Sequence, residues 1–454
     1  MYSFLERINA LVWGIPLLIL ILGIGIYISI YTGCVQFRLL PKAFRAFLKQ
    51  FKNDKTTNGV SSYRALCTAL AATVGTGNLA GVAGALAIGG PGAIFWMWVA
   101  ALLGMGIKFA EAALAVRYRE KDRNGEYIGG PMYMIKNGLG SKWLPLAYIY
   151  CFFGVVASFG VGNATQINTV ISGLDGVLIS QGLELKLWLR ILIGLCFALL
   201  LPLTLLKGAK RIGQVTAYLV PIASVGYMVL GGIVLLLNSH KIPVAFQSII
   251  FGAFSPRAVS GGVVGSMFTA MRIGTSRGVY TNEAGMGTAA IAHAGGEVSH
   301  PAEQGLMGII EVFIDTILIC TMTALVILCS GVNVPYGIDC GVSLTANAFS
   351  VVFGDWVQLP LTAALCCFAV ATVLGWGLYG VRCASFLFGE NVLKKFILLQ
   401  GLAAVLGAIL QTGTIWLLTD IVNGLMAVPN LIALFLLLPE LKSLLKSYKH
   451  KEKA

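Results

Sequence analysis

The chain has 454 residues, of which 57% are hydrophobic and only 11% charged, with a formal net charge of +13. A soluble protein carries roughly a quarter charged residues, and many apolar runs here exceed the ~20 residues that cross a bilayer. This balance excludes a soluble globular protein, and it makes the positive charge a matter of position in the chain rather than a sign of nucleic-acid binding.

Eleven apolar segments follow in chain order, at about 10–31, 63–88, 92–116, 145–171, 187–206, 213–237, 247–271, 305–329, 356–381, 395–412 and 414–438. The first has too long an apolar core for a signal peptide, and no small-residue cleavage site follows it, so it reads as a span. Basic residues alternate between the loops. Arg38, Lys42, Arg45, Lys49, Lys52, Lys55 and Arg64 follow segment 1, and Arg117, Arg119, Lys121, Arg123, Lys136 and Lys142 follow segment 3. Further basic groups follow segments 5, 7, 9 and 11, while the other loops hold little beyond Arg7, Lys186, Arg190, Lys241 and Arg257. The positive-inside rule then predicts an outside N-terminus and a cytoplasmic C-terminus in the plasma membrane. The ten cysteines sit mostly within apolar spans and form no CxxC, which fits small packing residues.

Segment 2 is interrupted by ATVGTGN at 72–78. Gly75, Thr76, Gly77 and Asn78 weaken a helix at membrane depth, where backbone leaves the helix only if it is buried in protein or lines a cavity. Secondary transporters use such breaks: free amides receive an anionic group and free carbonyls hold a cation. The alternative is close packing between helices. Segment 7 carries a second interruption, SGGVVGSMFT at 260–269, with Gly261 and Gly262. Segments 2 and 7 are five apart, so they would open two five-helix repeats of opposite orientation. The predicted architecture is an all-α polytopic membrane protein with eleven transmembrane helices. Residues 1–62 form an extra N-terminal helix and basic loop, 63–240 and 241–438 an inverted 5+5 repeat, and 439–454 a basic cytoplasmic tail.

Three stretches, GGPGAIFWMWVAALLG (89–104), GGPMYMIKNGLG (129–140) and YTNEAGMG (280–287), resemble the signature regions of the sodium:alanine/glycine symporter family. The resemblance covers about residues 60–440. It implies a fold like that of the leucine transporter, cotransport of sodium with a small neutral amino acid, and no covalent chemistry. The V-G-x-G-N pattern is also similar to the broken first core helix of the neurotransmitter:sodium symporters. Carried over on that likeness, the Thr76 and Gly77 amides would face the substrate carboxylate. The Ala71 and Val74 carbonyls would hold sodium, and Asn78 would offer an oxygen to the substrate or to a second cation.

Segment 9, with FAVATVLGWG at 368–377, would complete the cation site through the Thr372 hydroxyl and the Ala369 carbonyl. Hard oxygens suit an alkali cation, although Ala371 stands where the family often has serine. The alternative for Thr372 is a hydroxyl bonded back to its own helix. Segment 4 carries GNATQINT at 162–169, whose Gln166 and Asn168 would line the substrate cavity or act as interhelical hydrogen-bond glue. Trp376 and Met267 would wall the pocket against long side chains, whereas Trp96 and Trp98 read as an interfacial belt.

Lys108 and Glu111 on segment 3 and Glu311 and Asp315 on segment 8 are intramembrane charges. Glu311 and Asp315 share a face at i,i+4, and either one would pair with Lys108. Otherwise these acids form a proton relay, and the same scaffold would then be proton-driven through Glu111, Glu311 or Asp315. His293, Glu297, His300 and Glu303 read as a solvated loop rather than a metal site. No Ser-His-Asp set, metal motif or nucleotide loop points to an enzyme. The expected partners are sodium, a small neutral amino acid and the bilayer, with no nucleic acid and no required oligomer.

Overall fold

The computed structural model describes residues 2–52, 54, 59–123, 125–179, 182–254, 267–338, 340–410 and 412–451. In hydrocarbon every backbone N–H and C=O needs an internal partner, and the described chain is accordingly almost all helix. In order, α1 is Tyr2–Val12, α2 Ile15–Tyr31, α3 Leu40–Lys52, α4 Ser62–Thr73, α5 Val82–Gly89, α6 Gly92–Arg117, α7 Leu144–Phe159, α8 Thr165–Ile179, α9 Leu187–Leu205 and α10 Gly208–Leu237. Then come α11 Ile242–Phe254, α12 Met267–Asn282, α13 Thr288–Ala294, α14 Pro301–Val312, α15 Thr321–Ser330, α16 Val342–Phe353, α17 Gln358–Phe388, α18 Leu393–Ile409, α19 Thr412–Leu436 and α20 Leu438–Lys451. The strands are two-residue pieces: β1 (Val60–Ser61) pairs in parallel with β4 (Gly296–Glu297), and β2 (Glu120–Lys121) pairs antiparallel with β3 (Tyr127–Ile128).

Among the described residues, nine helical stretches are long and apolar enough to cross a membrane. One further pair, Ser62–Thr73 with Gly77–Gly89, passes the same test together but is bent by 50°. These ten match ten of the eleven expected segments. The remaining one, segment 7, corresponds to α11 and α12. The residues between them, including Gly261 and Gly262, lie outside the described residues. The 12-residue apolar helix α16 was not anticipated; it is too short to span and so leaves no span-length signal.

Packing separates a buried scaffold from lipid-facing helices. Helix α6 packs on α14 and α12, α4 on α10 and α17, α7 on α17, and α9 on α18. Helix α2 lies against α6 and α19. The outer faces of α9 and α10 expose Leu192, Leu199, Leu203, Ile222, Val225 and Leu236, a stripe that suits hydrocarbon rather than water. Besides π-turns at Gly77–Gly81, in the break itself, and at Ile135–Leu139, two helices are widened at Gly160–Ala164 and Phe313–Cys320. Such bulges re-aim the side chains that follow them, and both lie next to the break in segment 2.

Candidate functional site

The break starts where α4 ends. Ser61 caps the helix by accepting from the Arg64 amide at 3.1 Å. At the other end the Val74 N–H still bonds the Leu70 carbonyl at 2.7 Å. The next amide leaves the ladder: Gly75 N–H donates to the Asn78 side-chain Oδ1 at 2.8 Å. The Ala71 carbonyl thereby loses its helical donor, because an α-helix would bond it to residue 75. It accepts instead from the Thr372 hydroxyl, reaching over from α17 at 2.9 Å. Thr372 therefore does not bond back to its own helix. Ala369 lies about one turn earlier in the unbroken α17, so its carbonyl has only its second lone pair to offer. The freed carbonyl of Ala71 and the Thr372 hydroxyl that meets it are hard oxygens, the donor type that suits an alkali cation.

Asn78 organises the far side of the break. Its Nδ2 donates to Asp315 Oδ1 at 2.6 Å and to the Asp315 carbonyl at 3.2 Å. Thr76 Oγ1 donates to Gln166 Oε1 at 2.9 Å, and Gln166 Nε2 is anchored on the Val161 carbonyl at 3.0 Å. Neither Gly75 nor Gly77 adopts a positive φ. What they supply is room. A Cβ on Gly75 would sit 2.7 Å from Thr372 Oγ1, whereas one on Gly77 would meet Thr281 Cγ2 at 3.4 Å and the Tyr280 ring at 3.6 Å.

Trp376 is completely buried. It packs so closely on Gly162 that a Cβ there would fall 2.1 Å from the Trp376 Cβ. Gly75, Thr76, Gly77, Asn78, Gln166, Ala71, Val74 and Thr372 thus converge, with Trp376 linked to them through the helix that carries Gln166. Two candidates stand apart. Asn168 donates to the Gly407 and Leu410 carbonyls at 3.2 and 2.9 Å, facing α18 as interhelical glue. Met267 opens α12 with 43% of its surface exposed. A cavity of about 80 Å³ lies toward the Leu79 end of the break, lined by Ser172, Thr345, Gln358 and Leu365 among others. Trp96 and Trp98 are part-buried, and Trp98 Nε1 donates to Thr321 Oγ1 at 2.8 Å.

Lys108 meets one of its two expected partners, but the i,i+4 pair Glu311 and Asp315 does not share a partner. Lys108 pairs with Glu311 at 2.9 Å, both fully buried, while Asp315 turns to Asn78. The π-turn beginning at Phe313 alters the helical phase, so Glu311 and Asp315 meet different partners. His293 is also not solvated. It is wholly buried in α13, with Nε2 at 2.9 Å from Glu311 Oε2 and Nδ1 at 2.7 Å from Gln304 Nε2. Only the later members of that cluster approach solvent, where the Glu303 carboxylate accepts from Ser299 Oγ at 2.8 Å and from Lys451 Nζ at 3.1 Å.

Glu283 and Asn430 escaped the sequence reading. Glu283 is buried, accepts from Trp376 Nε1 at 2.9 Å and from Thr288 Oγ1 at 2.5 Å, and has a left-handed φ of 54°. Glu111 Oε1 accepts from the Gly285 and Gly287 amides, each at 3.0 Å, and from Asn430 Nδ2 at 2.7 Å. The stretch 280–287 is therefore a backbone nest that closes around the Glu111 carboxylate. The available signal was an acid set in a Gly-rich apolar turn.

The model of the sodium:alanine symporter family matches residues 1–454. An uncharacterized transporter of Haemophilus influenzae is 44% identical over 437 residues, covering 95% of this chain and 92% of its own. The sodium/alanine symporter AgcS of Methanococcus maripaludis is 40% identical over 439 residues, covering 96% and 94%. Among solved structures, MhsT in complex with L-phenylalanine superposes with a TM-score of 0.61 at 15% identity, covering 84% of this chain and 90% of that one. That likeness shows the fold, which is of the leucine-transporter type. On the full-length family match and these relatives, this multi-pass membrane protein belongs to the sodium:alanine symporter family, whose members are transporters and not enzymes.

Proposed function

We propose that the protein is a sodium-coupled symporter that imports a small neutral amino acid, alanine or glycine first and serine or glutamine next, by alternating access. The observation that carries this is the released Ala71 carbonyl facing the Thr372 hydroxyl at 2.9 Å, beside a break at which the Gly75 amide leaves the helical ladder. Sodium at Ala71, Val74, Ala369 and Thr372 would tie the first core helix to α17. Thr76 and Gly77 open the resumed helix, where the first N–H groups have no intrahelical acceptor, so their amides suit a carboxylate. The ammonium would go to carbonyls near the breaks, including those around Gly262, and the bulk of Trp376 would reject long side chains.

The same reading takes α11 and α12 as one interrupted span, making eleven, with segments 2–6 and 7–11 as inverted repeats and the N-terminus outside. The contacts support it: segment 3 packs on 8, 4 on 9 and 5 on 10, as partners about a pseudo-two-fold axis would. The name of the relative AgcS favours alanine and sodium. Counterflow in proteoliposomes across the twenty amino acids, with and without sodium, tests the proposal. Exchange of small neutral amino acids that requires sodium supports it; equal exchange in its absence contradicts it.

A further inference from the structure

The stretch 280–287 touches both other signature stretches, Ala284 against Gly104 and Gly287 against Pro131, and it borders a second buried polar cluster, centred on Lys108. Its charges do not balance. Three carboxylates, Glu111, Glu283 and Glu311, share one ammonium, and Lys108 Nζ is committed to Glu311 Oε1 at 2.9 Å. His293 reaches neither of the other two carboxylates: its ring nitrogens are taken by Glu311 and Gln304. The Ser62 hydroxyl donates to Gln304 Oε1 at 2.6 Å, which turns Gln304 Nε2 toward His293 Nδ1 at 2.7 Å as a donor.

The two remaining carboxylates are solvated unequally. Glu111 takes three N–H donors on one oxygen, two of them backbone amides in a nest built for an anion. Glu283 has one indole N–H and one hydroxyl, and no cation at ion-pair distance among the described residues. A protonated Glu283 keeps both contacts: Trp376 still donates to Oε1, and the acid O–H on Oε2 donates to Thr288 Oγ1. The groups that face it from the surrounding helices are Lys108, Glu311, Tyr150, Tyr280 and Tyr379. Only Lys108 among them is cationic, and the Tyr150 and Tyr379 hydroxyls have no hydrogen-bond partner among the described residues.

Glu283 is also wired to the break. Trp376, its donor, packs on the π-turn that precedes Gln166. Tyr280 and Thr281, three and two residues before it, form the contact surface for Gly77. A change at either place alters the groups that surround the carboxyl.

We infer that Glu283 is a proton-binding site, taking up a proton when the cytoplasmic half closes around the loaded site and releasing it when that half opens to water. The inference rests on the symporter reading, and sodium remains the driving ion. Closure removes water from Glu283, and a buried carboxylate without a cation takes a proton. By linkage, amino-acid binding draws in protons and tightens as the pH falls.

The test is proton uptake by the purified transporter in weakly buffered solution on addition of sodium chloride and L-alanine, at several values from about pH 6 to about pH 9 around the buried acid's titration. Wild type is expected to take up as much as one proton per chain. Glu283→Gln is expected to bind L-alanine with no uptake and with an affinity that no longer varies with pH. Thr288→Val removes a donor that favours the carboxylate, away from the substrate site, and is expected to move the uptake midpoint to higher pH. Alanine binding without proton uptake in wild type overturns the inference, as does uptake that persists in Glu283→Gln. Should Glu283→Gln not fold, an unmoved midpoint in Thr288→Val overturns it by itself. If wild type binds no amino acid at any pH, the transporter reading fails first and the inference falls with it.

Discussion

The Thr372 hydroxyl donates to the Ala71 carbonyl at 2.9 Å, joining two helices 301 positions apart in sequence at the point where the first core helix gives way. If these oxygens hold sodium, the hydroxyl is required and the methyl is not. Thr372→Ala should raise the sodium concentration for half-maximal uptake by at least tenfold, about 1.4 kcal/mol for the lost charge-assisted contact. Thr372→Ser should stay close to wild type. Sodium titration of uptake checks this, and equal responses of the two variants would remove Thr372 from the ligand set.

The two glycines of the break should separate ion from substrate. A methyl on Gly75 would press on Thr372 Oγ1 at 2.7 Å, whereas one on Gly77 has ordinary contact distances of 3.4–3.6 Å. Gly75→Ala should therefore weaken sodium activation strongly, and Gly77→Ala should be tolerated. Gly77→Val, with a branched side chain in the path of the carboxylate, should abolish substrate binding while the protein still inserts and folds. Wild-type alanine affinity in Gly77→Val would contradict the placement of the receptor.

Lys108 and Glu311 form a fully buried pair. Glu311→Gln leaves the ammonium without its countercharge, which costs roughly 3–5 kcal/mol. Thermal stability and yield should fall sharply, and Lys108→Met with Glu311→Leu should restore much of both. A single variant as stable as wild type would show that the pair is not structural.

Asp315 is held by Asn78 rather than by Lys108. In Asp315→Asn an amide oxygen can still accept from Asn78, so this variant should fold and keep its sodium dependence. A stable Asp315→Asn protein that exchanges substrate but no longer accumulates it would instead identify Asp315 as a proton carrier.

The break was legible because polar and glycine residues inside an apolar run contradict the helix that the run demands, and Thr372 because it is a hydroxyl in an otherwise apolar stretch. The positions of Gln166 and Asn168 were only half legible. Residues two apart do not share a helix face, and the structure sends Gln166 to Thr76 and Asn168 to α18. The charge partners were obscured by the π-turn at Phe313–Cys320, which no residue pattern announces. His293 reads as a loop residue, and Glu283 does not stand out at all, because their short stretches carry no span-length apolar signal. Their burial comes from the convergence of three distant motifs, a tertiary fact. Gly287 shows the closeness of that convergence: a Cβ there would lie 2.3 Å from Pro131 Cγ, in another of the three motifs.

The central claim is that a sodium gradient drives amino-acid accumulation through the broken helix. The direct measurement is uptake of labelled L-alanine into proteoliposomes with an imposed sodium gradient, no pH gradient and the membrane potential clamped at zero. The account predicts accumulation above equilibrium in wild type that vanishes when sodium is equal on both sides and is lost in Thr372→Ala at low sodium. Accumulation driven by a pH gradient alone, indifferent to sodium and to Thr372, would contradict it.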